Sequence, residues 1–332
     1  MLCKKVSVNT SVANRIAFAQ MMDWTDRHCR YFLRLLSPNV GLYTEMVTAA
    51  AVVHGDRETL LRFDQSEHPV AVQLGGSNVD WMAQAAVASA DAGYDEININ
   101  VGCPSDRVQS GQFGACLMAR PQLVAGCFKA MRDAVDVPIT IKTRIGIDDH
   151  DSYDFLREFV DTLVAAGCRK FVVHARIAIL EGLSPKENRS VPPLQYERVF
   201  QLKSDYPDLE IVLNGGIQTL EGVAAALGEV DGVMIGRQAY QQPYFLAEIE
   251  RQLDPRFVLP TRRSIVEQML PYIEAELASG ERLGRITRHM LGLFAGQPGA
   301  RAWRRYLSEH AFREAAGIEV VTAALEALPV AA

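Results

Sequence analysis

The chain has 332 residues, 48% hydrophobic and 22% charged, with a net charge of −6. That leaves room for one large domain and a smaller one, and no run approaches the roughly 18 apolar residues of a membrane span. The start, MLCKKVSVNT, lacks an apolar signal core. The six cysteines (Cys3, Cys29, Cys103, Cys116, Cys127, Cys168) show neither CxxC nor zinc spacing, so reduced thiols, a cytoplasmic location and no metal site are expected.

In chain order, short apolar runs alternate with helical patterns. The runs are RIAFAQM (15–21), GLYTEM (41–46), PVAVQLGG (69–76), EININVG (96–102), PITIKTR (138–144), KFVVHAR (170–176), EIVLNGG (210–216) and DGVMIGR (231–237). Amphipathic stretches lie between them at 78–92, 121–135, 152–166, 194–206 and 220–229. Eight strands alternating with helices over about 240 residues predict an α/β fold, a (β/α)8 TIM barrel. A doubly wound sheet is the alternative, but no GxGxxG follows an early strand.

The runs end in residues that a core would not choose: Met21, Glu45, Gln73, Asn100, Lys142, His174, Asn214, and Gly236 with Arg237. In a barrel these ends converge on the C-terminal face, where active sites lie. After Pro243 the strand signal stops. A short helix is expected at 245–254, a linker to Pro260, then helices at 261–279, 281–295, 299–314 and 317–327. The expected division is a catalytic barrel over 1–250 and an all-α helical domain over 251–332.

Charge is uneven along the chain. From Arg251 to Arg313 there are eleven Arg against six Asp or Glu, a balance of +5 that leaves the remainder carrying −11. A basic arginine module on an acidic body suits an anionic partner, and it equally suits a solvated helical surface. Arg301 and Arg304, three apart in GARAWRR, share a helix face.

Three groups carry candidate chemistry. NGGI (214–217) and GR (236–237) place glycines at the seventh and eighth exits, where barrels commonly bind phosphate, and Arg237 could add a bidentate contact. Lys142 and His174 share the same barrel end. The lysine reads as a Schiff-base nucleophile of an aldolase-like enzyme or as a fixed charge beside an anionic ring. Gln73, Asn100 and Asn214 supply amides suited to a flat heterocycle, which favours the second reading. Cys103, presented by a Gly-Cys-Pro turn after a strand, reads as a structural thiol, a nucleophile or a general acid. A neutral thiol of pKa about 8.5 can donate a proton at neutral pH.

The chain resembles the tRNA-dihydrouridine synthases, most closely their A-type bacterial branch. The likeness rests on MMDWTDRHCRYFLRLLS (21–37), LYTEMV (42–47), HPVAVQLGGS (68–77), GYDEININVGCPSDRVQSGQFGACLM (93–118), IKTRIGIDD (141–149), GLSPKENR (182–189), LNGGI (213–217) and DGVMIGR (231–237). It implies an FMN-binding barrel followed by a helical tRNA-binding domain. NADPH, or NADH, would reduce the flavin, which would pass hydride to C6 of a D-loop uridine at positions 20 and 20a while Cys103 protonates C5. Met21, Gln73, Lys142, His174, Asn214, Gly215, Gly216, Gly236 and Arg237 would hold FMN. Asn100, Lys186, Arg189, Arg301 and Arg304 would contact tRNA. No protein partner is implied, and a monomer is expected. Three positions depart from the family pattern: Gln20 stands for a proline, Ile177 for a lysine and Gln242 for an asparagine. The rival readings are an FMN barrel reducing a small pyrimidine, such as a dihydroorotate dehydrogenase, and a tRNA-binding protein without turnover.

Overall fold

A computed structural model describes residues 15–105, 108 and 111–329. Cys3, and Asp106, Arg107, Gln109 and Ser110 of the long block, lie outside the described residues. All eight apolar runs form strands: β1 (Ile16–Phe18), β2 (Gly41–Thr48), β3 (Val70–Gly75), β4 (Glu96–Val101), β5 (Ile139–Arg144), β6 (Lys170–His174), β7 (Glu210–Asn214) and β8 (Gly232–Ile235). They pair in parallel in sequence order, and β8 returns to β1 to close the barrel.

The connecting helices start where the sequence supplies caps. Asn78, Ser152 and Thr219 each accept a backbone N–H three residues on, opening the helices Val79–Ala92, Tyr153–Ala165 and Leu220–Leu227. Pro121 opens Pro121–Ala134, where its missing N–H costs nothing. Their apolar faces and the outward faces of the strands form one core that runs on into the C-terminal helices. Inside the barrel, a smaller cluster of Ala19, Tyr43, Ala71, Val172, Val212 and Met234 fills one layer.

Much of the rest of the barrel interior is polar, and a chain of paired side chains runs through it. Asn100 Nδ2 donates to Gln73 Oε1 (2.6 Å), and Gln73 Nε2 to Asn98 Oδ1 (2.7 Å). Asn98 Nδ2 then donates to Thr140 Oγ1 (2.8 Å), and the Thr140 hydroxyl to Glu96 Oε1 (2.7 Å). Lys170 closes the lower end between Glu96 and Glu210, at 2.9 and 3.1 Å. A satisfied buried network of this kind is rigid, because each broken link would strand a polar group away from water. It fixes the amide of Asn100 from beneath.

Two expectations change. Glu45 is not a strand exit: it sits inside β2, which carries a register irregularity between Tyr43 and Met46. The irregularity shifts the inward-facing position, so Met46 rather than Glu45 reaches the barrel mouth. The stretch 281–295 is helical only over Leu283–Thr287, followed by turns. Gly292 lies in those turns, where a Cβ would lie 2.1 Å from the Gln241 carbonyl oxygen. The chain there packs closely against the segment after β8. The other expected helices form as Tyr244–Leu253, Arg262–Ala278, Ala300–His310 and Ile318–Glu326.

These helices meet the barrel through a helix that periodicity alone did not single out, Arg27–Leu36. Tyr31 stacks on Tyr272 at 3.8 Å, and His28 Nδ1 lies 2.8 Å from the Tyr272 hydroxyl. Asp26 caps that helix by accepting from Cys29 N–H, and also meets Arg288 (2.5 Å) and His289 (3.0 Å). No helix among the described residues is long and apolar enough to cross a membrane.

Candidate functional site

A cavity of about 490 Å³ opens at the C-terminal mouth of the barrel. Cys103 lines it, in the turn after β4, with Sγ 3.6 Å from Ser105 Oγ. The turn is held on several sides. Asn100 Oδ1 accepts from both Gly102 N–H (3.1 Å) and Cys103 N–H (3.0 Å). The Cys103 carbonyl accepts from Ala115 N–H at 2.9 Å. Gly114 makes that approach possible, for at its φ of +78° a Cβ would lie 2.5 Å from the Cys103 oxygen. Arg144 Nε donates to the Gly102 carbonyl at 3.1 Å.

The wall is cationic. Lys142, Arg144, Arg189 and Arg237 line the cavity, and no Asp or Glu is among the described residues that do so. Burial, with Arg144 and then Arg189 adding repulsion, pulls the Lys142 amine from its ordinary 10.5 to about 7. Arg144 is pulled down to about 10, chiefly by burial. It remains charged, donating also to the carbonyls of Ile177 (3.2 Å) and Asn188 (3.0 Å). His174 is held well below its usual value, by burial first and then by Arg144 and Lys142, so the ring is neutral.

This wall fits an anionic cofactor. His174 Nδ1 is buried with no hydrogen-bond partner among the described residues, and Lys142 Nζ likewise makes no hydrogen bond there. Both lie in the cavity wall, where a ligand could satisfy them. Gly215 and Gly216 adopt φ of +113° and +74°, and a Cβ on Gly215 would press the His174 ring at 3.1 Å. Their bare backbone therefore leaves the approach to His174 open. A metal fits less well: among the described residues, no group of three or more His, Cys, Asp and Glu could hold one.

The comparisons with known proteins agree on one family. The dihydrouridine synthase (Dus) family matches residues 17–328. The chain belongs to that family. A Shewanella oneidensis relative named tRNA-dihydrouridine(20/20a) synthase is 56% identical over 329 residues, covering 99% of this chain and 98% of its own. Relatives of the same name from Vibrio cholerae and Escherichia coli K12 are each 57% identical, over 320 and 323 residues. Each covers 95% of this chain, with 97% and 91% of the relative's own length matched.

Of the site residues carried over from the dihydrouridine synthases, Met21, Gln73, Asn100, Cys103, Lys142, His174, Arg189, Asn214, Gly215, Gly216, Gly236 and Arg237 all line the one cavity. Lys186 does not; it is exposed on the loop that carries Arg189. Arg301 and Arg304 lie outside the cavity, exposed on the helix Ala300–His310 opposite buried Trp303 and Leu307.

The residue that sequence reasoning missed is Arg144. It is 4% exposed and ties the Cys103 turn to the loop that carries Lys186 and Arg189. It closes the IKTR motif two residues after Lys142, and that alternation, which puts both on one side of β5, was the available signal. Trp24 also lines the cavity unannounced. Of the family departures, Gln20 lines the cavity with Oε1 buried and unpartnered among the described residues, whereas Ile177 and Gln242 do not line it.

Proposed function

We propose that this chain is a flavin-dependent oxidoreductase reducing D-loop uridines 20 and 20a of tRNA to 5,6-dihydrouridine. The observation that carries the reading is a thiol on a rigid turn, facing a cationic cavity lined by no carboxylate among the described residues, in a chain of this family. Met21, Gln73, Lys142, His174, Asn214, Gly215, Gly216, Gly236 and Arg237 would hold FMN. When bound and reduced by NADPH, or NADH, FMN supplies the hydride that C6 of uracil receives. Cys103 gives its Sγ proton to C5, so the C5=C6 bond becomes single and a thiolate remains. Lys142, Arg144 and Arg189 stabilise that thiolate until solvent reprotonates it. Asn100, pinned to Gln73 and to the turn, keeps the sulfur aimed throughout.

The uridine must leave its stack to enter so enclosed a site. Lys186, Arg189, Arg301 and Arg304 would grip the tRNA, which makes binding salt-dependent. The division of labour is a catalytic barrel over 1–250 and a tRNA-gripping helical domain over 251–332. We place the protein in the cytoplasm as a monomer.

The test is dihydrouridine formation on unmodified tRNA with FMN and NADPH, Cys103→Ala beside the wild type. Product should fall roughly 10²- to 10⁴-fold in the variant, while reduction of its flavin by NADPH continues. Wild-type protein with reducible flavin and no product would refute the substrate.

A further inference from the structure

Trp24 is not accounted for by the reaction above. It follows β1 in a tight turn, where Trp24 N–H and Thr25 N–H both donate to the Met21 carbonyl at 3.0 Å. The ring lines the cavity, only partly buried. One of its faces is covered by Tyr240, stacked at 4.4 Å with the planes 16° apart. Its indole N–H donates to nothing among the described residues. A tryptophan that serves only packing is usually buried more fully and finds a partner for its N–H.

The stack is braced from behind by a chain of contacts through His289 to Asp26. The Tyr240 hydroxyl lies 3.1 Å from His289 Nδ1, and His289 Nε2 lies 3.0 Å from Asp26 Oδ1. The His289 side chain is fully buried. Tyr240 itself stays a neutral phenol, its pKa raised first by burial and then by nearby Cys29. An aromatic ring held this firmly loses little freedom when a second flat ring settles on it.

We propose that Trp24, backed by Tyr240, is a stacking platform for a second nucleobase. That base is the one adjacent, in the same tRNA, to the uridine being reduced. The inference rests on the reading of the cavity as a uridine-reducing site. A nucleotide drawn out of its stack strains its neighbour, and successive bases of an unstacked strand are commonly held on aromatic side chains. The cavity that Trp24 lines is also lined by Lys142, Arg189 and Arg237. A flat ring beside fixed cations suits a nucleotide better than an apolar ligand. The adenine or nicotinamide of the reductant has the same ring chemistry and is the competing source.

The experiment uses flavin-loaded wild type, Trp24→Ala and Trp24→Phe, with flavin content and melting temperature checked first. The dissociation constants of uridine monophosphate and of the dinucleotide UpU are read from the change in flavin absorbance. Wild type should bind UpU roughly 10- to 100-fold more tightly than the mononucleotide. Trp24→Ala should bring the two together, and Trp24→Phe should keep most of the difference. KM for tRNA should rise by a similar factor in Trp24→Ala, with the KM for NADPH in tRNA-free flavin reduction unchanged. A wild type that binds both probes equally, or an alanine variant that retains the preference, overturns the platform. A loss confined to the NADPH constant overturns the assignment to tRNA. Should Trp24→Ala fail to hold flavin, Trp24→Leu against Trp24→Phe decides between ring and bulk. If wild type makes no dihydrouridine, the functional reading fails, while the UpU comparison still reads the platform by itself.

Discussion

Lys142 offers the sharpest test of the electrostatics. It is 9% exposed, without a hydrogen-bond partner among the described residues, and its pKa falls from 10.5 to about 7. The folded protein therefore gives up this proton more readily than the unfolded chain. That depressed pKa costs stability wherever the unfolded lysine is charged: fully below pH 7, decreasingly from 7 to 10.5, and not at all above. At 1.36 kcal/mol per unit, the cost is about 5 kcal/mol at pH 6 and about 2 kcal/mol at pH 9. Lys142→Met keeps the length of the side chain and removes the amine. In flavin-free protein, urea unfolding should show the variant more stable than wild type, by more at pH 6 than at pH 9. An equal difference at both values would refute the reasoning. With FMN the balance reverses, because a bound anion supplies the missing counter-charge. The variant should then release flavin roughly tenfold more easily.

Three further outcomes follow from the geometry. Arg144→Met leaves the carbonyls of Gly102, Ile177 and Asn188 without their donor, so the urea midpoint should fall by the equivalent of about 3 kcal/mol. Dihydrouridine formation should fall with it, as the Cys103 turn loses one of its anchors. Gly216→Ala would place a Cβ 2.4 Å from Leu194 Cδ1 at a φ of +74°. The backbone term alone costs about 1–2 kcal/mol, and the purified variant should carry less flavin. Asp26→Asn keeps the helix cap and removes the charge facing Arg288 and His289. Burial works against the Asp26 carboxylate, but the His289 contact and the Cys29 N–H outweigh it and hold its pKa well below 3.8. Its contribution is thus present above that value and lost as the pH falls further. The variant should be less stable by about 1–2 kcal/mol at pH 7, and calorimetry should show the gap closing as acid is added.

The eight strands were legible because each is a short apolar run bounded by turn residues, a signal carried within six to eight positions. Cys103 was legible for the same reason: a Gly-Cys-Pro turn must follow the strand EININV whatever surrounds it. The basic helix face of Arg301 and Arg304 needed only a spacing of three. Other features depend on what the fold brings close. Glu45 was misplaced because the irregularity in β2 arises from pairing with β3, a partner 25 or more residues away. The helix expected at 281–295 ends at Thr287, and in the turns beyond it Gly292 lies against Gln241, a contact that no local pattern encodes. Arg144 is one arginine among many in the sequence, and it becomes an anchor only when Gly102 and Asn188 arrive from neighbouring loops. The same holds for the low pKa of Lys142, which is made by burial and by Arg144 and Arg189 together. Local composition determined which elements form and which residues stand at their ends. Tertiary structure decided which of those residues meet, because desolvation, charge coupling and hydrogen bonding act across space rather than along the chain.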